Sequence, residues 1–231
     1  MDVGGVRLAV ATWPAATELH PPVVLLPATA QTAGDWAAVA AGLSGSRTVH
    51  AVDLRGQGRS DWPGRYTIQL FADDVAGLLP QLDAGRPLDV VAHSLGGLVA
   101  CAVAAAHPAL VHRLVLEDVG LLRPRPAALP ARPAGVLAFD WRLVEQVRPE
   151  IDDPDPAWAQ VAAAVRAPTL VIAGGPRSTV PQEHVADLVR TLPDAQLVTL
   201  DTGHLVHATN PQDFLRAART FLDAERRGPR C

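Results

Sequence analysis

The sequence predicts an α/β fold in three layers, a mostly parallel sheet covered by helices on both faces. Three observations carry that expectation. Short, wholly apolar runs alternate along the chain with longer amphipathic stretches, and strands that lack a polar face belong to a sheet buried on both sides. The alternation of strand and helix patterns is the ordering that builds parallel sheets. The length, 231 residues, fits one large domain spanning the whole chain, 1–231, and the core has to be aliphatic because 48% of residues are hydrophobic but only 4% aromatic.

Taken in order, residues 6–12 read as an edge strand after a turn at Gly4 and Gly5. Residues 23–26 are a wholly apolar strand, and 33–43 a helix with Trp36, Val39 and Leu43 on one face. Residues 48–54 form the next strand and 55–64 a Gly-containing loop. Residues 67–82 are helical, with Asp73 and Asp74 expected on the solvent side. The strand 88–92 runs directly into a helix, 95–106, which His107-Pro108 ends. Another apolar strand covers 113–117. From 120 to 166 the rhythm breaks, with seven prolines between Pro124 and Pro156, so this segment reads as an insertion with short helices near 139–147 and 158–165. The alternation then resumes as strand 169–173, helix 181–192, strand 196–200 and a closing helix 211–226.

Composition removes several function classes. Twenty basic residues, all arginine, stand against 24 acidic ones, and no basic stretch stands out, which argues against a nucleic-acid surface. Cys101 and Cys231 are too few for a disulfide framework. Residues 1–5 carry no basic region ahead of an apolar stretch, so no signal peptide is expected, and no apolar run is long enough for a membrane helix. The expectation is a cytoplasmic protein acting on a small molecule, as a monomer or homodimer, with no nucleic-acid or membrane partner.

The strongest chemical signal is Val90-Val91-Ala92-His93-Ser94-Leu95-Gly96-Gly97. A strand that turns at once into a helix forces the turn residue into strained backbone angles, and the small residues Ala92 and Gly96 leave room for that turn. The side chain of Ser94 then projects from the end of the sheet at a helix N-terminus, where free N–H groups favour developing negative charge. A serine so placed is a nucleophile for a carbonyl carbon.

Ala92–Gly96, together with Asp53-Leu54-Arg55-Gly56-Gln57-Gly58-Arg59-Ser60 and the later Asp201-Thr202-Gly203-His204 with Asn210-Pro211, resembles the α/β-hydrolase family in the family's own order. The resemblance covers nearly the whole chain and implies a Ser–His–acid triad, with Ser94 attacking and His204 as general base. Serine at position 94 argues against dehalogenase and epoxide hydrolase chemistry, which use a carboxylate nucleophile on this fold. The chain departs from the family in the loop that often carries the acid, where Gly174–Pro181 holds no carboxylate. Glu117-Asp118, after the preceding strand, offers the alternative, and Asp118 is favoured because Glu117 should point to the other side of the sheet. Where relatives carry His-Gly after the third strand this chain has Pro27-Ala28-Thr29, so the oxyanion hole falls to the N–H groups of Thr29 and Leu95. The Asp53–Ser60 loop reads as structural, because its glycines lack the spacing of a phosphate cradle.

The 120–166 insertion falls where the family places a short helical lid over the substrate pocket. Phe139, Trp141 and Trp158 are the candidate lining residues, joined by His93 beside the nucleophile and His207 after the base. The resulting expectation is a serine hydrolase of carboxylic esters, lactones or related acyl compounds, with no metal and no cofactor implied. Carbon–carbon bond hydrolysis, thioester hydrolysis and a cofactor-free lyase step are alternatives on the same fold. A catalytically inactive, ligand-binding member is the alternative outside enzymology.

Overall fold

Wholly apolar runs become strands here because a sheet wedged between two helical layers has no wet face. The computed structural model describes residues 1–224, and nine strands form among them. Two, β1 (Asp2–Val3) and β2 (Val6–Arg7), make a separate hairpin over Gly4 and Gly5, whose φ angles of 58° and 83° suit glycine. The expected edge strand 6–12 is therefore split, and its second part is β3 (Ala9–Trp13).

With β4 (Val23–Leu26), β5 (Val49–Asp53), β6 (Leu88–His93), β7 (Val111–Glu117), β8 (Thr169–Ala173) and β9 (Ala195–Thr199), β3 forms one seven-stranded sheet. Its order is β3-β5-β4-β6-β7-β8-β9, antiparallel only between β3 and β5.

Alternation along each central strand feeds two cores. Val24, Leu26, Val90, Ala92, Leu114, Leu116, Val171 and Ala173 face one core. Val23, Leu25, Val91, Val115, Leu170 and Ile172 face the other. Helices α2 (Ile68–Leu82), α3 (Leu95–Ala106), α5 (Trp158–Ala164) and α6 (Gln182–Thr191) cover the first face. Helices α1 (Ala37–Leu43), the single turn α7 (Val206–Thr209) and α8 (Pro211–Leu222) cover the second, where Trp36 and Phe214 are fully buried. The closing helix was expected to reach 226, which lies outside the described residues, as does Cys231.

Three local expectations change. The helix expected at 33–43 opens as a 3₁₀ turn, Ala33–Trp36, under a capping box formed by Thr32 and Asp35. The helix expected at 139–147 is α4 (Trp141–Asp152), started by the Asp140 carboxylate accepting from the Arg142 N–H at 3.1 Å. Asp74 does not face solvent: it is 4% exposed and pairs with Arg55 through two hydrogen bonds, the longer 2.6 Å. A bidentate guanidinium makes burial of that carboxylate tolerable where amphipathic counting placed it outside.

The Asp53–Ser60 loop ties the sheet to the segment before α4. The Asp53 carboxylate accepts from the N–H groups of Ala33 and Arg59, while Gly58 and Asp140 exchange backbone hydrogen bonds with Ala138 and Gly56. No helix among the described residues is long and apolar enough to cross a membrane.

Candidate active site

Register decides which residues meet. His93 on β6 lies opposite Glu117 on β7, and Glu117 lies opposite Ile172 on β8. The next residues, Ser94 and Asp118, therefore leave adjacent strands at the same level, at the carboxyl edge of the sheet. Both have left-handed backbone, with φ of 50° at Ser94 and 48° at Asp118, an uncommon conformation for residues with a Cβ. The turn at Ser94 leaves no room behind it: a Cβ on Gly96 would come within 2.6 Å of the Leu26 and Pro27 carbonyl oxygens.

Asp118 reaches His204. Its Oδ2 accepts from the His204 Nδ1–H at 2.6 Å, which fixes the ring so that Nε2 faces away from the carboxylate. Two further donors hold the carboxylate, both from the loop where a carboxylate was missing from the sequence. The Gly174 N–H donates to Oδ1 at 2.8 Å and the Ser178 hydroxyl donates to Oδ2. Burial raises the Asp118 carboxyl, but the hydrogen bonds from His204, Ser178 and Gly174 outweigh it and hold the group below the ordinary carboxylate range.

Gly174 also accepts through its carbonyl from the N–H groups of Thr202 and Gly203, so the histidine loop and the acid share one anchor. A Cβ there would sit 2.2 Å from the Gly203 oxygen, which is why a glycine is needed. Sequence reasoning missed Ser178 and Gly174. The only available signal was the absence of a carboxylate between Gly174 and Pro181.

Glu117 goes to the opposite face. Its carboxylate accepts from the His207 backbone N–H at 2.9 Å and pairs with His207 Nδ1 at 2.7 Å, and both side chains are buried. The His207 ring stacks on Trp36 with centroids 4.2 Å apart. His207, expected at the pocket, is thus a core residue beneath the histidine loop. His93 lies between the two systems, 0% exposed, with Nε2 2.9 Å from the His204 carbonyl oxygen and Nδ1 2.9 Å from Gln31. Burial pushes the His93 imidazole down to about 4, so it is neutral at pH 7. His93, Glu117 and His207 bring possible metal-ligating atoms within 4.8 Å of one another. Most of those atoms already hydrogen-bond within this frame; His207 Nε2 is the buried one without a partner among the described residues.

A cavity of about 620 Å³ opens onto Ser94, His204 and Asp118, within the size range of small-molecule sites. Thr29 lines it, whereas Leu95 is 1% exposed at the start of α3 and has only its backbone to offer. Neither N–H is used by a described acceptor, which leaves both free for an oxyanion. The left-handed residue in the loop after β4 is Ala30, with φ of 66°, so the alanine at position 28 meets no backbone strain. Phe139, Trp141 and His93 also line the cavity, but Trp158 does not: it packs on the first core from α5.

A profile of the α/β-hydrolase fold matches residues 21–160. The sn-1-specific diacylglycerol lipase ABHD11 of Mus musculus is 28% identical over 221 residues, covering 76% of this chain and 72% of its own length. Pyrrolizixenacetamide deacetylase of Xenorhabdus hominickii is 28% identical over 242 residues, covering 84% and 89%. Among solved structures, a hydrolase from Pseudomonas aeruginosa superposes with TM-score 0.81 at 28% identity, over 95% of this chain and 96% of that one. The enol-lactonase of Burkholderia xenovorans superposes with TM-score 0.85 at 23% identity over 96% and 98%, a likeness of fold. With its seven-stranded, mostly parallel sheet, its strained serine turn and this match over residues 21–160, the chain belongs to the α/β-hydrolase family.

Proposed function

We propose that the protein is a serine hydrolase that cleaves carboxylic esters, lactones or related acyl compounds through an acyl-enzyme. The observation that carries this reading is the 2.6 Å bond between His204 Nδ1 and Asp118 Oδ2 in the wall of the cavity that Ser94 enters. An imidazole oriented by a buried carboxylate presents Nε2 as a base. Ser94 Oγ gives its proton to Nε2 as it bonds to the substrate carbonyl carbon. The oxyanion that forms is met by the Thr29 and Leu95 N–H groups and by the N-terminal end of α3. Collapse expels the leaving group, which takes the proton from His204, and a water activated by the same base then releases the acid. Ser94 and His204 make no hydrogen bond with each other among the described residues, and such contacts commonly tighten only with substrate bound.

Labelling by a fluorophosphonate, which bonds only to an activated serine, tests the assignment. Wild-type protein is expected to label and Ser94→Ala to fail. Asp118→Asn should lower turnover of an activated ester by roughly four orders of magnitude, because the imidazole would lose its orienting acceptor. Wild-type protein that does not label, or label that persists in Ser94→Ala, would exclude the triad. An inactive ligand-binding protein would then be the better reading.

A further inference from the structure

The cavity carries a feature that the triad does not use. Three arginines line the cavity, Arg123, Arg125 and Arg148, and among the described residues the only carboxylate lining it is Asp118, already engaged by His204. Arg123 pairs with Asp187 on α6, whereas Arg125 and Arg148 share one buried acid. Asp152, 3% exposed at the end of α4, accepts from Arg125 Nε at 2.6 Å and from Arg148 Nε at 2.8 Å. It also accepts from the Ala128 N–H at 3.0 Å, so its acceptor capacity is spent on fixing these two side chains and the strand of chain before α4.

Both arginines are held through Nε alone. Their terminal amino groups donate to no acceptor among the described residues. Each side chain is about one-third exposed (33% and 30%), on the cavity. Two guanidinium groups sharing one buried carboxylate leave one positive charge uncompensated on this wall. A guanidinium gripped from behind presents its free N–H donors at fixed positions, the arrangement that suits a planar anion. The same cavity is also lined by aliphatic side chains, Leu98, Val119, Leu121, Val144, Val147 and Ile151.

We infer that Arg125 and Arg148 form an anion subsite, and that the preferred substrate is an acyl compound with an apolar spacer ending in a carboxylate. This inference rests on the serine-hydrolase reading for its catalytic part, and its binding part stands on the arginine geometry alone. The anionic end docks on the two guanidinium groups, the spacer lies against the aliphatic lining, and the scissile carbonyl is delivered to Ser94. A neutral ester of the same length would fill the same space without the charge-assisted hydrogen bonds.

The test compares the 4-nitrophenyl monoester of adipic acid with the uncharged 4-nitrophenyl hexanoate. Wild-type protein should prefer the anionic ester in kcat/KM by about tenfold or more, the value of one charge-assisted hydrogen bond. Arg125→Gln and Arg148→Gln should each move that ratio toward one, and salt should do the same in wild type. Each single variant keeps one arginine on Asp152, so the buried carboxylate is not stranded, and fluorophosphonate labelling verifies that the site is folded. In parallel, calorimetry measures binding of monoethyl adipate to Ser94→Ala and to Ser94→Ala with Arg125→Gln. No anionic preference in wild type, or a preference that both arginine variants retain, overturns the subsite. Hydrolysis of neither ester, with monoethyl adipate binding that Arg125→Gln abolishes, keeps the subsite and rejects the hydrolase. Loss of both hydrolysis and binding rejects both.

Discussion

Two neighbouring acids with opposite fates show how one residue of register decides chemistry. Glu117 and Asp118 differ in sequence by a single position, yet alternate residues of a strand point to opposite faces. Glu117 enters the second core to pair with His207, while Asp118 takes a left-handed turn and reaches His204 over the sheet edge. Parity along β7 made that division legible beforehand. The donors that complete the acid were not legible, because Ser178 lies 60 residues away in sequence and only the fold brings it to Asp118. Ser178→Ala therefore makes a sharp prediction. Removing that hydroxyl donor lets the Asp118 carboxyl rise toward its ordinary range. The acid limb of the kcat/KM profile should move to higher pH, with turnover lower by roughly tenfold, consistent with loss of one hydrogen bond. An unshifted profile would show that Ser178 only packs.

At the scale of elements, the β6–α3 junction is the piece on which the site depends. The strand ends at His93, the helix starts at Leu95, and one residue must turn the chain between them. Gly96 lets the first turn of α3 lie against the end of β4, and Gly97 lets it lie against Val119, whose Cγ2 would be 2.3 Å from an added Cβ. Gly96→Ala should cost about 3 kcal/mol by overpacking against backbone carbonyls that cannot rotate away, which urea unfolding would measure. A change under 0.5 kcal/mol would mean that the junction yields. In the 120–166 segment α5 was legible, expected at 158–165 and found at Trp158–Ala164, whereas α4 was less so. Seven prolines between Pro124 and Pro156 obscured α4, which begins at its Asp140 cap and tolerates Pro149 in its last turns.

Across the whole molecule, titratable side chains are buried beneath the carboxyl edge of the sheet, among them His93, Glu117 and His207. His93 is enclosed on all sides and kept neutral, and the groups facing it include Glu117, which favours its charged form, and His204 and His207, which oppose it. Its ordinary value of 6.5 falls to about 4 on folding, so the unfolded chain binds the extra proton between those values. Stability contributed by this group is complete above pH 6.5 and is lost as pH falls toward 4, by on the order of 3 kcal/mol. Asp118, lowered on folding, acts in the same direction at lower pH. Denaturant midpoints should therefore fall between pH 7 and 4, and His93→Gln should flatten that slope. An equally steep slope in the variant would remove His93 from the account.

The sequence by itself determined the layering, the parallel character of the sheet and the serine turn, because these follow from local periodicity and from residues adjacent in the chain. Tertiary structure alone decided what gathers around them. The register of β6, β7 and β8 set Asp118 beside the Gly174 and Ser178 donors and brought His207 under Glu117 in the core. The packing of the 120–166 segment kept Trp158 off the cavity and turned Arg125 and Arg148 into its wall. Such contacts join segments tens of residues apart, and periodicity carries no information about which distant segments a folded sheet brings to one edge.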